Sequence, residues 1–172
     1  MGVSGSYTET FVELIRRAST ELPADVLEAL EEGRKVEQAD GLASIALDTI
    51  LNNVEIARED SAPICQDTGT PVVWIHYPAG VSTRGLRDDF TAAVREATSR
   101  KYLRPNAVDT LTGSNTGDGA GRGIPFLHFE EWDEPTVEVR MILKGGGSEN
   151  VGPRGSHSTK SPTVMAPSHS RT

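Results

Sequence analysis

Four polar clusters hold the side chains of this 172-residue chain best suited to chemistry: Cys65-Gln66-Asp67-Thr68-Gly69, Leu103-Arg104-Pro105-Asn106, Ser114-Asn115-Thr116-Gly117 and Lys144-Gly145-Gly146-Gly147-Ser148-Glu149-Asn150. Cys65 is the sole cysteine and cannot close an internal disulfide. As a thiolate it could hold a soft metal or a cluster, or act as a nucleophile. Gln66 and Asp67 set an amide and a carboxylate beside it, and Gly69 and Pro71 tighten the loop. Arg104 could clamp a carboxylate through two parallel hydrogen bonds. In Gly145-Gly146-Gly147 no Cβ keeps a bound anion from the backbone N–H groups. Together these residue types describe a site for a small anion beside a metal.

Taken singly, each cluster has a plainer explanation. A lone cysteine is more often a buried structural thiol, and an isolated arginine more often makes a surface ion pair. The glycine run could be a flexible exit from a strand, and it lacks the Lys-Ser or Lys-Thr of a phosphate-binding loop. The glycines between Gly117 and Gly123 follow no predicted strand, which weakens a dinucleotide reading. His76 and His128 fall in predicted strands and read as partly buried, satisfied histidines. His157 and His169 read as solvated, and Glu31-Glu32 and Asp88-Asp89 as water-facing helix positions.

The elements that must position these clusters follow from apolar spacing. Residues 7–58 read as helical, with Phe11, Leu14, Ile15, Ala18 and Leu22 on one helical face. Pro23 suits the first turn of a second helix carrying Val26, Leu27 and Leu30, and Gly33 weakens its continuation. Asp40 is the expected N-cap of a third helix, whose face is Leu42, Ile45, Ala46, Ile50 and Val54. Val72–Tyr77 reads as a strand, and Leu86, Phe90, Ala93, Val94 and Ala97 as a helix. Phe126–Glu131 and Thr136–Leu143 read as two strands joined by a turn at Trp132-Asp133-Glu134-Pro135. The expected class is α+β: N-terminal helices, then a small, mostly antiparallel sheet in an incomplete domain. The domain is expected to span residues 1–150. Residues 151–172, nearly devoid of apolar side chains, are expected to be a disordered tail.

Composition narrows the function. A formal charge of -8 argues against a general nucleic-acid binder. No apolar run approaches the roughly 20 residues that span a bilayer, and no basic region precedes an apolar stretch at the N-terminus. With one cysteine, a reducing cytoplasm is the expected compartment. The apolar fraction of 36% is low for a compact domain, so either part of the chain is expected to stay unpacked or a partner is expected to complete the core.

The clusters, in this order, resemble the N-terminal part of the class I, iron–sulfur-dependent fumarate hydratases and the L-tartrate dehydratase alpha subunit. The resemblance runs from about Thr8 to Asn150. Its most specific segments are Ile64 to Gly69, Leu103-Arg104-Pro105-Asn106-Ala107-Val108-Asp109, Asn115-Thr116-Gly117, and Lys144 to Asn150. It implies a 4Fe-4S cluster on three cysteines with one iron open as a Lewis acid. Carried onto this chain, it makes Cys65 a cluster ligand and places Gln66 and Asp67 beside the cluster, in contact with substrate. It pairs Arg104 with a substrate carboxylate, and offers backbone N–H groups of Gly146 or Gly147 to the same anion. Asn115 and Thr116 would shape the adjoining loop. The other two cysteine ligands and the proton-transfer residues lie later in family members, often in a beta domain or subunit. Here residue 150 is followed by a segment unlike the family.

The first expectation is therefore a hydro-lyase reversibly dehydrating a 2-hydroxy dicarboxylate such as malate, incomplete and inactive as this chain alone. The intact relative would be dimeric and completed by a C-terminal or beta domain or subunit. The alternative is a non-catalytic dicarboxylate-binding or assembly module completed by a partner chain. A cysteine-based redox sensor ranks last, because it leaves Arg104 and the glycine run unexplained.

Overall fold

The computed structural model describes residues 6–66, 68–145 and, as backbone, 163–166. Among the described residues eight elements follow in order: α1 (Thr8–Thr20), α2 (Ala24–Val36), α3 (Leu42–Asp60), β1 (Thr70–Pro78), α4 (Thr83–Ser99), β2 (Phe126–Trp132), β3 (Val137–Lys144) and β4 (Thr163–Ala166). The class is α+β, as expected.

One core holds α1 and α4 against one face of the sheet. Helix α1 buries Phe11, Leu14 and Ile15, and α4 buries Leu86, Phe90, Ala93, Val94 and Ala97. These are the three- and four-residue spacings of a single apolar stripe. The Phe11 and Phe90 rings meet with centroids 5.0 Å apart. Alternate residues of the strands supply the other wall: Val73 and Ile75, then Val137, Val139 and Met141, all essentially inaccessible. Ser82 caps α4 by accepting from the Gly85 N–H at 3.1 Å. At the start of α1 the acceptor comes from another helix. Asp89 Oδ2 accepts from the Tyr7 N–H at 2.8 Å, and its Oδ1 accepts from Ser6 Oγ at 2.9 Å. Asp89 thus does structural work and is not simply a water-facing residue.

The sheet order is β2-β1-β3-β4. Strands β1 and β2 are parallel with Val73 opposite Leu127, and β1 and β3 are antiparallel with Val73 opposite Met141. The expected turn does join β2 to β3, but the two strands do not pair, because β1 lies between them. Residues 133–136 cross the end of β1, where Pro78 has no N–H to extend the ladder. Trp132 Nε1 donates to the Thr136 carbonyl at 2.7 Å and closes that crossing. In the segment 151–172, expected to be disordered, Thr163–Ala166 form β4, which pairs antiparallel with β3 and covers its edge. The remaining residues of that segment lie outside the described residues.

The α2–α3 pair departs most from expectation. Pro23 is the N-cap of α2 and lies outside its first turn. The N-cap of α3 is Gly41, while Asp40 turns the chain with φ 67°. Of the predicted α3 face only Val54 is buried; Leu42, Ile45 and Ile50 are 88%, 54% and 43% exposed. The face that packs inward instead carries Ser44, Val54 and Ala57. Apolar residues surround much of α3, so sequence periodicity alone could not choose its buried side. Helix α2 buries none of its residues.

Candidate functional site

The Cys65 loop connects α3 to β1 and is pinned at both ends. At its entry the Ile64 N–H donates to the Ser19 carbonyl at 2.9 Å, and Asn53 Nδ2 donates to the Ile64 carbonyl at 2.8 Å. Within it, Thr68 grips the Cys65 carbonyl through its N–H at 3.2 Å and its hydroxyl at 2.6 Å. At its exit Asn106 Nδ2 donates to the Thr68 carbonyl at 2.8 Å. This last bond joins the first cluster to the second across 38 residues. Cys65 and Gln66 are exposed; the thiol is not the buried filler of the plainer reading.

The Arg104 segment is shaped by its flanks. Leu103 and Ala107 are buried at 5% and 2% exposure, so Arg104, Pro105 and Asn106 arch outward between two anchors. The third cluster braces that arch. Asn115 Nδ2 donates to the Pro105 carbonyl at 2.6 Å, the Thr116 N–H donates to the Ala107 carbonyl at 3.0 Å, and Val108 bridges Asn115. Asn115 and Thr116 thus shape the loop. The turn beyond the arch is locked by Asp109, which accepts from the N–H groups of Thr112 and Leu111 at 2.8 and 2.9 Å. Those bonds hold its carboxyl below the usual carboxylate range.

The fourth cluster enters at the end of the sheet. Thr70 pairs with Lys144, which brings the last turn of the Cys65 loop against the start of the glycine run. A Cβ on Gly69 would lie 1.8 Å from the Lys144 carbonyl oxygen and 3.0 Å from the Gly145 Cα. Glycine is therefore required at position 69 by the approach of another backbone. Asp67, Gly146 and Gly147 lie outside the described residues.

Between the Cys65 loop and the Arg104 arch lies a cleft of about 500 Å³. Pro63, Ile64 and Leu103 give it apolar walls, and Asn53, Cys65, Gln66, Lys101 and Arg104 give it polar groups. Lys101 and Asn53 did not emerge from the sequence reading. Lys101 sits just past α4, where its N–H donates to the Thr98 carbonyl at 3.1 Å and the Tyr102 N–H to the Ala97 carbonyl at 2.8 Å. Those two bonds form a Schellman turn, whose left-handed position usually holds glycine. Lys101 occupies it with φ 66°, at a cost of roughly 1–2 kcal/mol. The only sequence signal was the absence of a glycine where the helical spacing stops. Asn53 lies on a helix and carried none.

The cleft can hold a small anion between cationic and amide groups, with a thiol at its edge. Among the described residues, no group of three or more His, Cys, Asp or Glu side chains could hold a metal ion. No helix among them is long and apolar enough to cross a membrane. His76 and His128 lie away from the cleft, on the open face of the sheet. His76 sits 3.4 Å from Glu138 and 3.3 Å from Glu130, and the His128 ring stacks on Trp74.

The chain is 43% identical over 142 residues to a protein of Geobacillus stearothermophilus that carries the name fumarate hydratase class I, covering 83% of this chain and 28% of that protein. It is 35% identical over 149 residues to a protein of Methanocaldococcus jannaschii that carries the name L(+)-tartrate dehydratase subunit alpha, covering 84% and 52%. To the L(+)-tartrate dehydratase subunit alpha of Escherichia coli K12 it is 30% identical over 142 residues, covering 81% and 46%. The chain thus spans between 28% and 52% of the length of these curated relatives. The sequence pattern described as Fumarate hydratase (Fumerase) matches residues 8–160, and the chain belongs to that family.

Proposed function

We propose that this chain contributes the dicarboxylate-binding portion of a hydro-lyase that reversibly removes water from a 2-hydroxy dicarboxylate such as malate. The observation that carries this reading is the convergence of the clusters. Asn106 ties the Arg104 arch to the Cys65 loop, and Gly69 seats that loop against Lys144. Arg104 presents a planar donor pair that matches one substrate carboxylate. Gln66 and Asp67, which follow Cys65 in sequence, would contact the substrate, and Gly146 and Gly147 would add backbone donors.

The 4Fe-4S cluster implied by family resemblance calls for three cysteines, and this chain has one. Its residues therefore do not by themselves fit the cluster; Cys65 would supply one thiolate. The remaining ligands and the proton-transfer groups would come from a C-terminal or beta domain or subunit. The exposed Leu42, Ile45, Ile50 and Ile56 of α3 offer apolar surface for such a partner. A reducing cytoplasm suits the exposed thiol. The second reading, a binding or assembly module without catalysis, rests on the same cleft and single cysteine.

Anaerobic reconstitution with iron and sulfide, with and without a candidate partner chain, separates the two readings. With the partner, the catalytic reading expects stable iron and malate–fumarate turnover; the module reading expects neither. Cys65→Ser should then lose iron. Arg104→Ala should keep iron and raise the Michaelis constant by a factor corresponding to roughly 2–5 kcal/mol. Robust turnover by this chain alone, or full iron retention by Cys65→Ser, would refute the proposal.

A further inference from the structure

Building on the dicarboxylate reading of the cleft, we propose that Lys101 is its second carboxylate-binding cation, so that Arg104 and Lys101 hold the two carboxylates of one 2-hydroxy dicarboxylate. Three observations carry this.

Both side chains line the same cleft, three residues apart in sequence. The Schellman turn and the buried Leu103 between them fix that spacing.

Neither cation ion-pairs with a carboxylate among the described residues, although the chain has 25 acidic against 17 basic side chains. Their neighbour Arg100 shows the ordinary alternative. It pairs with Glu96 at 2.7 Å and Glu9 at 3.0 Å. Two cations lining one cleft of an acidic chain, neither ion-paired among the described residues, make a local positive site, which a dianion satisfies better than a monoanion.

The backbone at Lys101 adds the third observation. Its left-handed conformation favours glycine, so lysine stands there against the local preference. A cation near a helix C-terminus does interact well with the helix dipole. Arg100 already occupies the C-cap of α4, so that role does not require Lys101.

The test is equilibrium binding of L-malate and of lactate, which has one carboxylate, to the 172-residue chain and its variants. Lys101→Met and Lys101→Gly should each weaken malate binding about tenfold or more, since a charge-assisted hydrogen bond is lost. Both should leave lactate binding within about twofold, because Arg104 still holds its single carboxylate. Lys101→Arg should keep most of the malate affinity. Lys101→Gly should also raise Tm by relieving the left-handed strain, so stability and binding should move in opposite directions. A purely structural lysine would lower both. Malate affinity unchanged in Lys101→Met and Lys101→Gly while Arg104→Ala loses it would overturn this inference and leave the dicarboxylate reading standing. Equal losses for malate and lactate, or a lowered Tm in Lys101→Gly, would also overturn it. No malate binding by the parent chain, or none lost in Arg104→Ala, would overturn the inference and the dicarboxylate reading together.

Discussion

Gly69→Ala is the sharpest single perturbation of this architecture. The added methyl would sit 1.8 Å from the Lys144 carbonyl oxygen, 2.6 Å from its carbonyl carbon and 3.0 Å from the Gly145 Cα. All three are backbone atoms, so no side-chain rotation can make room. The end of β3 must retreat by about 1.6 Å to reach ordinary contact at 3.4 Å. That movement breaks the Thr70–Lys144 pairing and draws Lys144 and Gly145 away from the end of the Cys65 loop. Overpacking of this kind costs about 1–3 kcal/mol, and the lost ladder bond adds about 1 kcal/mol. The expected destabilisation is therefore about 2–4 kcal/mol. Urea unfolding of dilute protein, followed through the fluorescence of Trp74 in β1 and Trp132 at the end of β2, reads it directly. A Gly69→Ala midpoint within about 0.5 kcal/mol of the parent's would show that the strand end yields freely, and the close-approach argument would fail.

Gly33→Ala is the contrasting case. The new Cβ would meet only Leu47 Cδ1, at 3.9 Å, inside a helix, so the same titration should show stabilisation of about 0.5–1 kcal/mol; a loss would refute it. The acid limb of stability should report Glu13, whose carboxyl the Arg16 hydrogen bond, aided by Arg17, pulls down to about 2. A carboxylate with a depressed folded-state pKa stabilises above its ordinary value near 4.5 and loses that stabilisation as the pH falls through about 2. Glu13→Gln should flatten this part of the pH–stability curve, modestly because the side chain is half exposed; an unchanged acid slope would count against the assignment.

The sequence alone carried what depends on near neighbours. The spacing of Phe11, Leu14 and Ile15, and of Leu86, Phe90, Ala93, Val94 and Ala97, announced both core helices and their buried faces. Those stripes are narrow, and only one side of each helix is apolar. Strands β1, β2 and β3 were legible too, because β-branched and aromatic residues cluster in them, whereas β4 falls in the segment expected to be disordered. So were the clusters at Cys65, Arg104 and Lys144, since rare residue types stand out without any fold. What remained hidden is pairing at a distance. Two strands four residues apart read as a hairpin, yet β1 captures both, since strand order is set by the whole sheet and its helices rather than by the turn. The buried side of α3 was likewise undecided by its sequence, because apolar residues lie on more than one of its faces and only neighbours can choose. Within the cleft, Asn53 and Lys101 are unremarkable letters in the sequence. They gain meaning only when the chain folds Asn53 onto the Ile64 carbonyl and turns Lys101 beside Arg104. Composition and local spacing specify elements and chemistry; which backbone lies against Gly69, and which cations share one cleft, is decided only when the whole core packs.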